Sequence, residues 1–107
     1  MTEAIELNDS NFASSISNSK LALVDYYATW CGSCRMALPM FKRVAAEAQM
    51  DLFKVDAENN IEARSAVNIE NLPTLAIVKD GKIIDSICTT REEGLREFLN
   101  SHGILKG

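Results

Sequence analysis

The run Leu21-Ala-Leu-Val-Asp-Tyr-Tyr-Ala-Thr-Trp-Cys-Gly-Ser-Cys decides the fold of this chain. Among its first eight residues, Asp25 is the exception, since the positions that would face either side of a strand are otherwise apolar. This pattern is typical of a strand covered on both faces. Apolar residues at helical spacing then continue from about residue 32 to 49. The sequence therefore predicts a buried strand that leads directly into a long helix, with Cys31 and Cys34 at the junction.

The flanking sequence predicts strands and helices in alternation. Upstream we expect a strand at 4–7 and a helix from about Asp9 to 18, capped by Asn8 or Asp9. Downstream we expect a strand at 52–56, a helix at about 60–67, strands at 74–79 and 82–88, and a last helix from about residue 91. Asp80-Gly81 is a strong hairpin signal, and Thr90 and Glu93 have the spacing of a capping box. The order βαβαβαββα predicts an α/β fold with a central mixed five-stranded sheet flanked by about four helices.

Length, charge and hydropathy exclude several classes of function. The 107 residues suit a single domain over 1–107. A net charge of −4 without a basic run argues against nucleic acid as a partner. No apolar stretch approaches the roughly 20 residues that span a bilayer. Because early acidic residues and no apolar segment open the chain, we expect no secretory signal, no membrane association and a cytoplasmic location.

The cysteine spacing indicates redox chemistry. Three cysteines cannot all pair within one chain, and two of them form a Cys-x-x-Cys. Unpaired N–H groups and the dipole at a helix N-terminus stabilise an anion, so Cys31 gains thiolate character there. Cys34, three residues further, lies close enough for a disulfide and should be more shielded.

These features occur together with further motifs that are specific to one family. The motifs are Val24-Asp25, Trp30-Cys31-Gly32-Ser33-Cys34-Arg35, Pro39, Lys54 and Leu72-Pro73-Thr74. In order and spacing they resemble the thioredoxin family, and the resemblance extends over nearly the whole chain. It implies the thioredoxin fold and a thiol–disulfide oxidoreductase that reduces protein disulfides.

The resemblance also implies roles for single residues. Cys31 would attack the substrate disulfide, and Cys34 would resolve the mixed disulfide. Asp25 would take a proton from Cys34, with Lys54 beside it.

The resemblance further implies a substrate site, formed by Trp30, Gly32, Ser33, Leu72 and Pro73. Trp30 would form one wall, Leu72 would offer backbone hydrogen bonds to an extended substrate, and Pro73 would follow a cis peptide bond. The implied chemistry needs no metal and no cofactor beyond the Cys31–Cys34 disulfide. Implied partners are disulfide-containing proteins and, as electron donor, a flavin-containing thioredoxin reductase, with the chain itself a monomer.

The sequence departs from the family at three places. Ser33 replaces the usual proline, Tyr27 stands where tryptophan is common, and Cys88 and Thr89 occupy the stretch that normally holds a groove glycine. An oxidase or isomerase role therefore stays open, as does an interaction module with an incidental redox pair.

An alternative from another class is a structural zinc domain. Its ligands would be Cys31, Cys34, Cys88 and His102, a permissible set of types and number.

Overall fold

The structure is a computed structural model that describes residues 3–105. Within this part of the chain it contains five strands: β1 Ala4–Leu7, β2 Leu21–Tyr27, β3 Asp51–Asp56, β4 Thr74–Lys79 and β5 Lys82–Cys88. The helices in the same part are α1 Phe12–Ser17, α2 Gly32–Glu47, α3 Ile61–Arg64 and α4 Glu92–Ser101. The predicted element order is confirmed. The single-domain prediction also covers residues 1, 2, 106 and 107, which lie outside the described residues.

The strands form one mixed sheet in the order β1-β3-β2-β4-β5. The β1, β3 and β2 strands are parallel, whereas β4 is antiparallel to β2 and β5 is antiparallel to β4. The fold-class prediction is confirmed. This order places β2 in the interior of the sheet, which explains why its sequence is apolar on both faces.

The two faces of the sheet bury separate clusters of side chains. Leu23 of β2 packs with Phe41 of α2 and Leu99 of α4, whereas its neighbour Val24 packs with residues such as Phe12 of α1. Because side chains alternate along a strand, Asp25 and Tyr27 lie on the Leu23 face. Asp25 therefore lies on the face of the sheet that α2 covers.

The long helix α2 is held by the predicted apolar stripe. Ala37, Phe41, Val44 and Ala45 are buried, while Ala48 is partly buried and caps the C-terminus of the helix. No helix within residues 3–105 is long and apolar enough to cross a membrane.

The predicted start of α1 is wrong. The helix begins at Phe12 and not near Asp9, and neither Asn8 nor Asp9 caps it. The Asn8 carboxamide instead accepts from the backbone N–H of Ser10 in a preceding turn. The Asp9 carboxylate accepts at 2.8 Å from the N–H of Ala63, far along the chain. Asn8 therefore bonds within the turn and Asp9 bonds a distant residue, and neither side chain is left to cap the helix.

The predicted capping box of α4 is also not formed. Its N-cap is Arg91, which makes no side-chain cap bond. Thr89, and not Thr90, accepts from the Arg91 N–H at 3.1 Å. The helix is tied to α2 instead by Arg96, which bonds Glu47 at 2.8 Å.

Candidate redox site

A disulfide between Cys31 and Cys34 lies at the junction of β2 and α2. The two Cα atoms are 5.3 Å apart, within the range that a disulfide requires. Cys31 is the N-cap residue of α2, and both cysteines pack with Ala28 and Leu72. The pair is therefore held by the strand end, the helix start and the loop before β4.

Two donors face the sulfur of Cys31. The backbone N–H of Cys34 donates to Cys31 Sγ at 3.2 Å, and the Ser33 hydroxyl lies 3.4 Å from the same atom. Donors of this kind stabilise a thiolate when the disulfide is reduced. Ser33, which replaces the family's proline, is thus in contact with the Cys31 sulfur.

An open groove of about 460 Å³ runs past Cys31. Four of the five predicted substrate-site residues line it, namely Trp30, Gly32, Ser33 and Leu72. The Trp30 side chain is not core filler, because the residue is 67% exposed and its Nε1 donates to Glu58 at 2.6 Å. The fifth residue, Pro73, is buried and follows Leu72 through a cis peptide bond.

Cys34 faces a different and smaller space. A cavity of about 70 Å³ is lined by Asp25, Tyr27, Cys34, Arg35, Leu38 and Lys54. This volume is large enough for one water molecule. Cys34 and Asp25 therefore line the same small cavity.

Asp25 is buried, as the sequence predicts, with only 2% of its surface exposed. Its Oδ1 has no hydrogen-bond partner among the described residues. Burial raises the pKa of Asp25 from 3.8 to about 7, against the opposing effect of Lys54. A carboxyl with such a pKa exchanges protons near neutral pH, which is the range a general base needs.

Lys54 lies beside Asp25 in the sheet register, and on its other side it faces Glu6 of β1. Its ammonium is 3.6 Å from Glu6 Oε1 and 5.2 Å from the centre of the Tyr27 ring. The Tyr27 hydroxyl donates to the Glu6 carboxylate at 2.8 Å. Lys54 is thus close to the acid, as predicted, but its ion pair is with Glu6.

Cys88 and His102, which the zinc alternative would use, do not contact the Cys31–Cys34 disulfide among the described residues. Cys88 is an exposed free thiol at the end of β5, opposite Thr74, which follows Pro73. His102 contacts Asp85 at 2.8 Å through its Nε2. Among residues 3–105 no group of three His, Cys, Asp or Glu side chains is arranged to hold a metal. The zinc alternative therefore finds no ligand cluster in this part of the chain.

The sequence did not single out Glu6 or Glu58. The alternation along β1 places Glu6 on the same face as Ala4, but nothing local shows that Lys54 is its neighbour. Glu58 reaches Trp30 from the loop after β3, and no spacing rule links the two residues.

Comparison with known proteins agrees with this geometry. The sequence model of the family described as "Thioredoxin" matches residues 3–101. A Staphylococcus aureus thioredoxin is 34% identical over 101 residues, which are 92% of this chain and 96% of that protein. The solved structure of Fasciola hepatica thioredoxin is 31% identical, with a TM-score of 0.79, and the match covers 92% of this chain and 98% of that one. A chain in the crystal structure of a complex of ferredoxin:thioredoxin reductase and thioredoxin f2 shows the fold alone. Its TM-score is 0.83 at 23% identity, over 94% of this chain and 96% of the matched chain.

Fold, disulfide and relatives together define a thiol–disulfide oxidoreductase with the thioredoxin fold. The chain belongs to the thioredoxin family. The resemblance seen in its motifs is confirmed.

Proposed function

We propose that this chain reduces disulfide bonds of other proteins, with Cys31 as the attacking and Cys34 as the resolving thiol. One observation carries the assignment of roles. Cys31 lines the larger groove, whereas Cys34 lines the smaller cavity that it shares with Asp25. This arrangement supports a mechanism in which the substrate disulfide reaches the Cys31 sulfur and the Cys34 thiol gives its proton to Asp25.

The first step is the attack of the Cys31 thiolate on one sulfur of the substrate disulfide. The substrate S–S bond breaks, a mixed disulfide forms, and the other substrate sulfur leaves as a thiolate. The Cys34 N–H, the Ser33 hydroxyl and the start of α2 favour the Cys31 thiolate over the thiol.

The second step is the resolution of the mixed disulfide. Asp25 accepts the proton of Cys34, directly or through water in the small cavity that both residues line, and the Cys34 thiolate attacks Cys31 Sγ. The mixed disulfide breaks and the second substrate sulfur leaves, so that two electrons have passed to the substrate. The products are a reduced substrate and the Cys31–Cys34 disulfide.

The groove supplies the site for the substrate chain. Trp30, held by Glu58, forms an exposed part of the lining, and Gly32 and Ser33 line the groove beside Cys31. Leu72 also lines the groove, and its backbone can pair with an extended peptide.

The proposed electron source is a flavin-containing thioredoxin reductase, by family resemblance. One protein with the same fold, thioredoxin f2, has been crystallised in complex with a reductase, ferredoxin:thioredoxin reductase. The proposed chemistry uses the cysteine pair alone, without metal or further cofactor. The monomeric state, the cytoplasmic location and the lack of a nucleic-acid partner stay predictions.

A trapping experiment tests the assignment. We expect Cys34→Ser, incubated with a protein disulfide such as insulin, to accumulate a mixed disulfide that peptide mapping places on Cys31. Cys31→Ser should form none, and Cys88→Ser serves as the matched control with normal turnover. In the reduced protein, brief alkylation at neutral pH should label Cys31 before Cys34. A mixed disulfide on Cys34 or Cys88 contradicts the proposal.

A further inference from the structure

A row of charged side chains crosses three strands beside the redox site. Register pairs Glu6 of β1 with Lys54 of β3, and Lys54 with Asp25 of β2. The three residues therefore lie side by side on the face of the sheet that α2 covers. The row runs from Glu6, which is half-exposed on the edge strand β1, to Asp25, which is buried on the interior strand β2.

The cation in the middle of this row is shared unequally. Lys54 forms its ion pair with Glu6, at 3.6 Å, and within residues 3–105 it makes no corresponding pair with Asp25. The Asp25 Oδ1 is left without a hydrogen bond among the same residues. Among the described residues, the ion-pair partner of Lys54 is therefore Glu6 and not Asp25.

Tyr27 fixes the position of Glu6. Its hydroxyl lies 2.9 Å and 2.8 Å from the two carboxylate oxygens of Glu6, and its ring lies under the Lys54 ammonium. Tyrosine stands here where the family often has tryptophan, whose ring N–H has a different position. Tyr27, a residue that departs from the family, is therefore in contact with both members of the Glu6–Lys54 pair.

We propose that Glu6 is a positioning residue for the exchange reaction, because it draws Lys54 away from Asp25 and so sets the pH range in which Asp25 accepts the proton of Cys34. The inference rests on the proposed function and extends it to a residue of the edge strand.

The charged and titratable groups around Asp25 are few. Lys54 faces it from β3, Glu6 from β1, Tyr27 from β2 itself, and Cys34 and Arg35 from α2. Arg35 is engaged elsewhere, because its guanidinium donates to the Thr29 carbonyl at 2.7 Å. The β4 neighbour of Asp25 is Leu75, which carries no charge.

The sign of the effect follows from these contacts. Glu6 raises the pKa of Asp25 and Lys54 lowers it. Glu6→Gln removes a negative charge near Asp25 and also releases Lys54 toward Asp25. Both changes favour the ionised form of the Asp25 carboxyl and so lower its pKa. An opposite charge within about 4–6 Å lowers a carboxyl pKa by about 1–3 units, so we expect a downward shift of about one unit.

The experiment is a titration of Asp25 in the oxidised protein, followed by the carbon chemical shift of its labelled carboxyl and assigned with Asp25→Asn. Glu6→Gln should lower the midpoint. In a Lys54→Met background the same substitution should shift it by less than half as much, because the cation is gone. Glu97→Gln, an exposed charge change on α4, is the control and should leave the midpoint unchanged.

Tyr27→Phe is a second test, since it frees Glu6 without changing any charge. We expect a smaller downward shift of the Asp25 midpoint. The pH profile of mixed-disulfide resolution should move to lower pH in Glu6→Gln by the same amount as the titration.

The possible outcomes separate the two proposals. An unchanged or raised Asp25 midpoint in Glu6→Gln overturns the inference, whatever Asp25 does in catalysis. Equal shifts with and without Lys54 overturn it as well, because Glu6 would then act directly. If Glu6→Gln lowers the Asp25 midpoint but leaves the pH profile of resolution unchanged, Asp25 is not the proton acceptor, and the positioning role of Glu6 is overturned with it.

Discussion

Replacing Asp25 with asparagine should stabilise the protein, and the gain should depend on pH. Asp25 is buried without a bond to Oδ1 among the described residues, and this raises its pKa from 3.8 to about 7. When the pKa of an acid is higher in the folded than in the unfolded state, its contribution to the unfolding free energy is fully present at pH values below the unfolded-state pKa. That contribution is lost as pH rises through the folded pKa. The native protein should therefore lose stability between about pH 4 and pH 7 relative to Asp25→Asn.

The magnitude follows from the size of the shift. One pKa unit corresponds to about 1.4 kcal/mol, so a shift from 3.8 to about 7 is worth about 4 kcal/mol once both states are ionised. The asparagine amide must also be desolvated, at a cost of roughly 1–3 kcal/mol that does not depend on pH. At any one pH, the increase in unfolding free energy caused by Asp25→Asn is therefore smaller than the amount by which that increase changes between low and high pH.

The assay is urea unfolding of the oxidised native protein and the variant at about pH 4 and about pH 9, where the unfolding free energies are compared. We expect the stability advantage of Asp25→Asn to grow by about 4 kcal/mol between these conditions. Asp51→Asn, at an exposed aspartate of β3, is the matched control and should show no such growth. An advantage that is constant with pH refutes the argument from burial. The same variant should slow resolution by Cys34, because its amide cannot accept the proton.

Other substitutions test separate features of the molecule. Ser33→Pro removes the hydroxyl that lies 3.4 Å from the Cys31 sulfur, and so weakens the stabilisation of the reduced form. Since a hydrogen bond to a charged acceptor contributes about 1.5–3 kcal/mol, we expect the redox potential to fall by ~30–60 mV in a dithiothreitol titration. An equal or higher potential contradicts this. Cys88→Ser should retain most disulfide reductase activity, because the thiol is exposed and outside both cavities at the disulfide; loss of nearly all activity would make it a third redox residue. Gly81→Ala should lower the unfolding free energy by about 1–3 kcal/mol in urea, because Gly81 has φ +80° and a Cβ there would lie 2.8 Å from a backbone oxygen of α1. Gly103→Ala, at φ +70° in open space, should cost less, and equal losses would show that the contact with α1 contributes nothing.

Much of the fold was predictable because its signals are local. The doubly apolar run of β2 identified an interior strand, and the spacing after it identified α2. Asp80-Gly81 predicted the hairpin, and both residues have the positive φ that such a turn requires. Each of these signals is complete within a few residues, so no knowledge of the rest of the chain was needed.

The helix starts were harder to predict because several acceptors compete for the same donors. Asn8, Asp9 and Thr90 all have capping side chains, yet none caps its helix. Asp9 bonds the backbone of Ala63 instead, a partner that only the folded chain brings near. A cap bond contributes about 1 kcal/mol, so a tertiary bond of similar strength can replace it.

The sequence by itself determined the reactive pair, since a cysteine at a helix start is a local property and Cys31 and Cys34 are three residues apart. Only the tertiary structure decided which spaces the two sulfurs face, and that Glu6 takes the cation beside Asp25. Sheet order and register determine these neighbours, because they bring together residues from distant strands. Asp25 and Glu6 are nineteen positions apart and share Lys54 only because β3 lies between their strands. Burial and competition for one cation are properties of that assembled sheet, and no spacing along the chain encodes them.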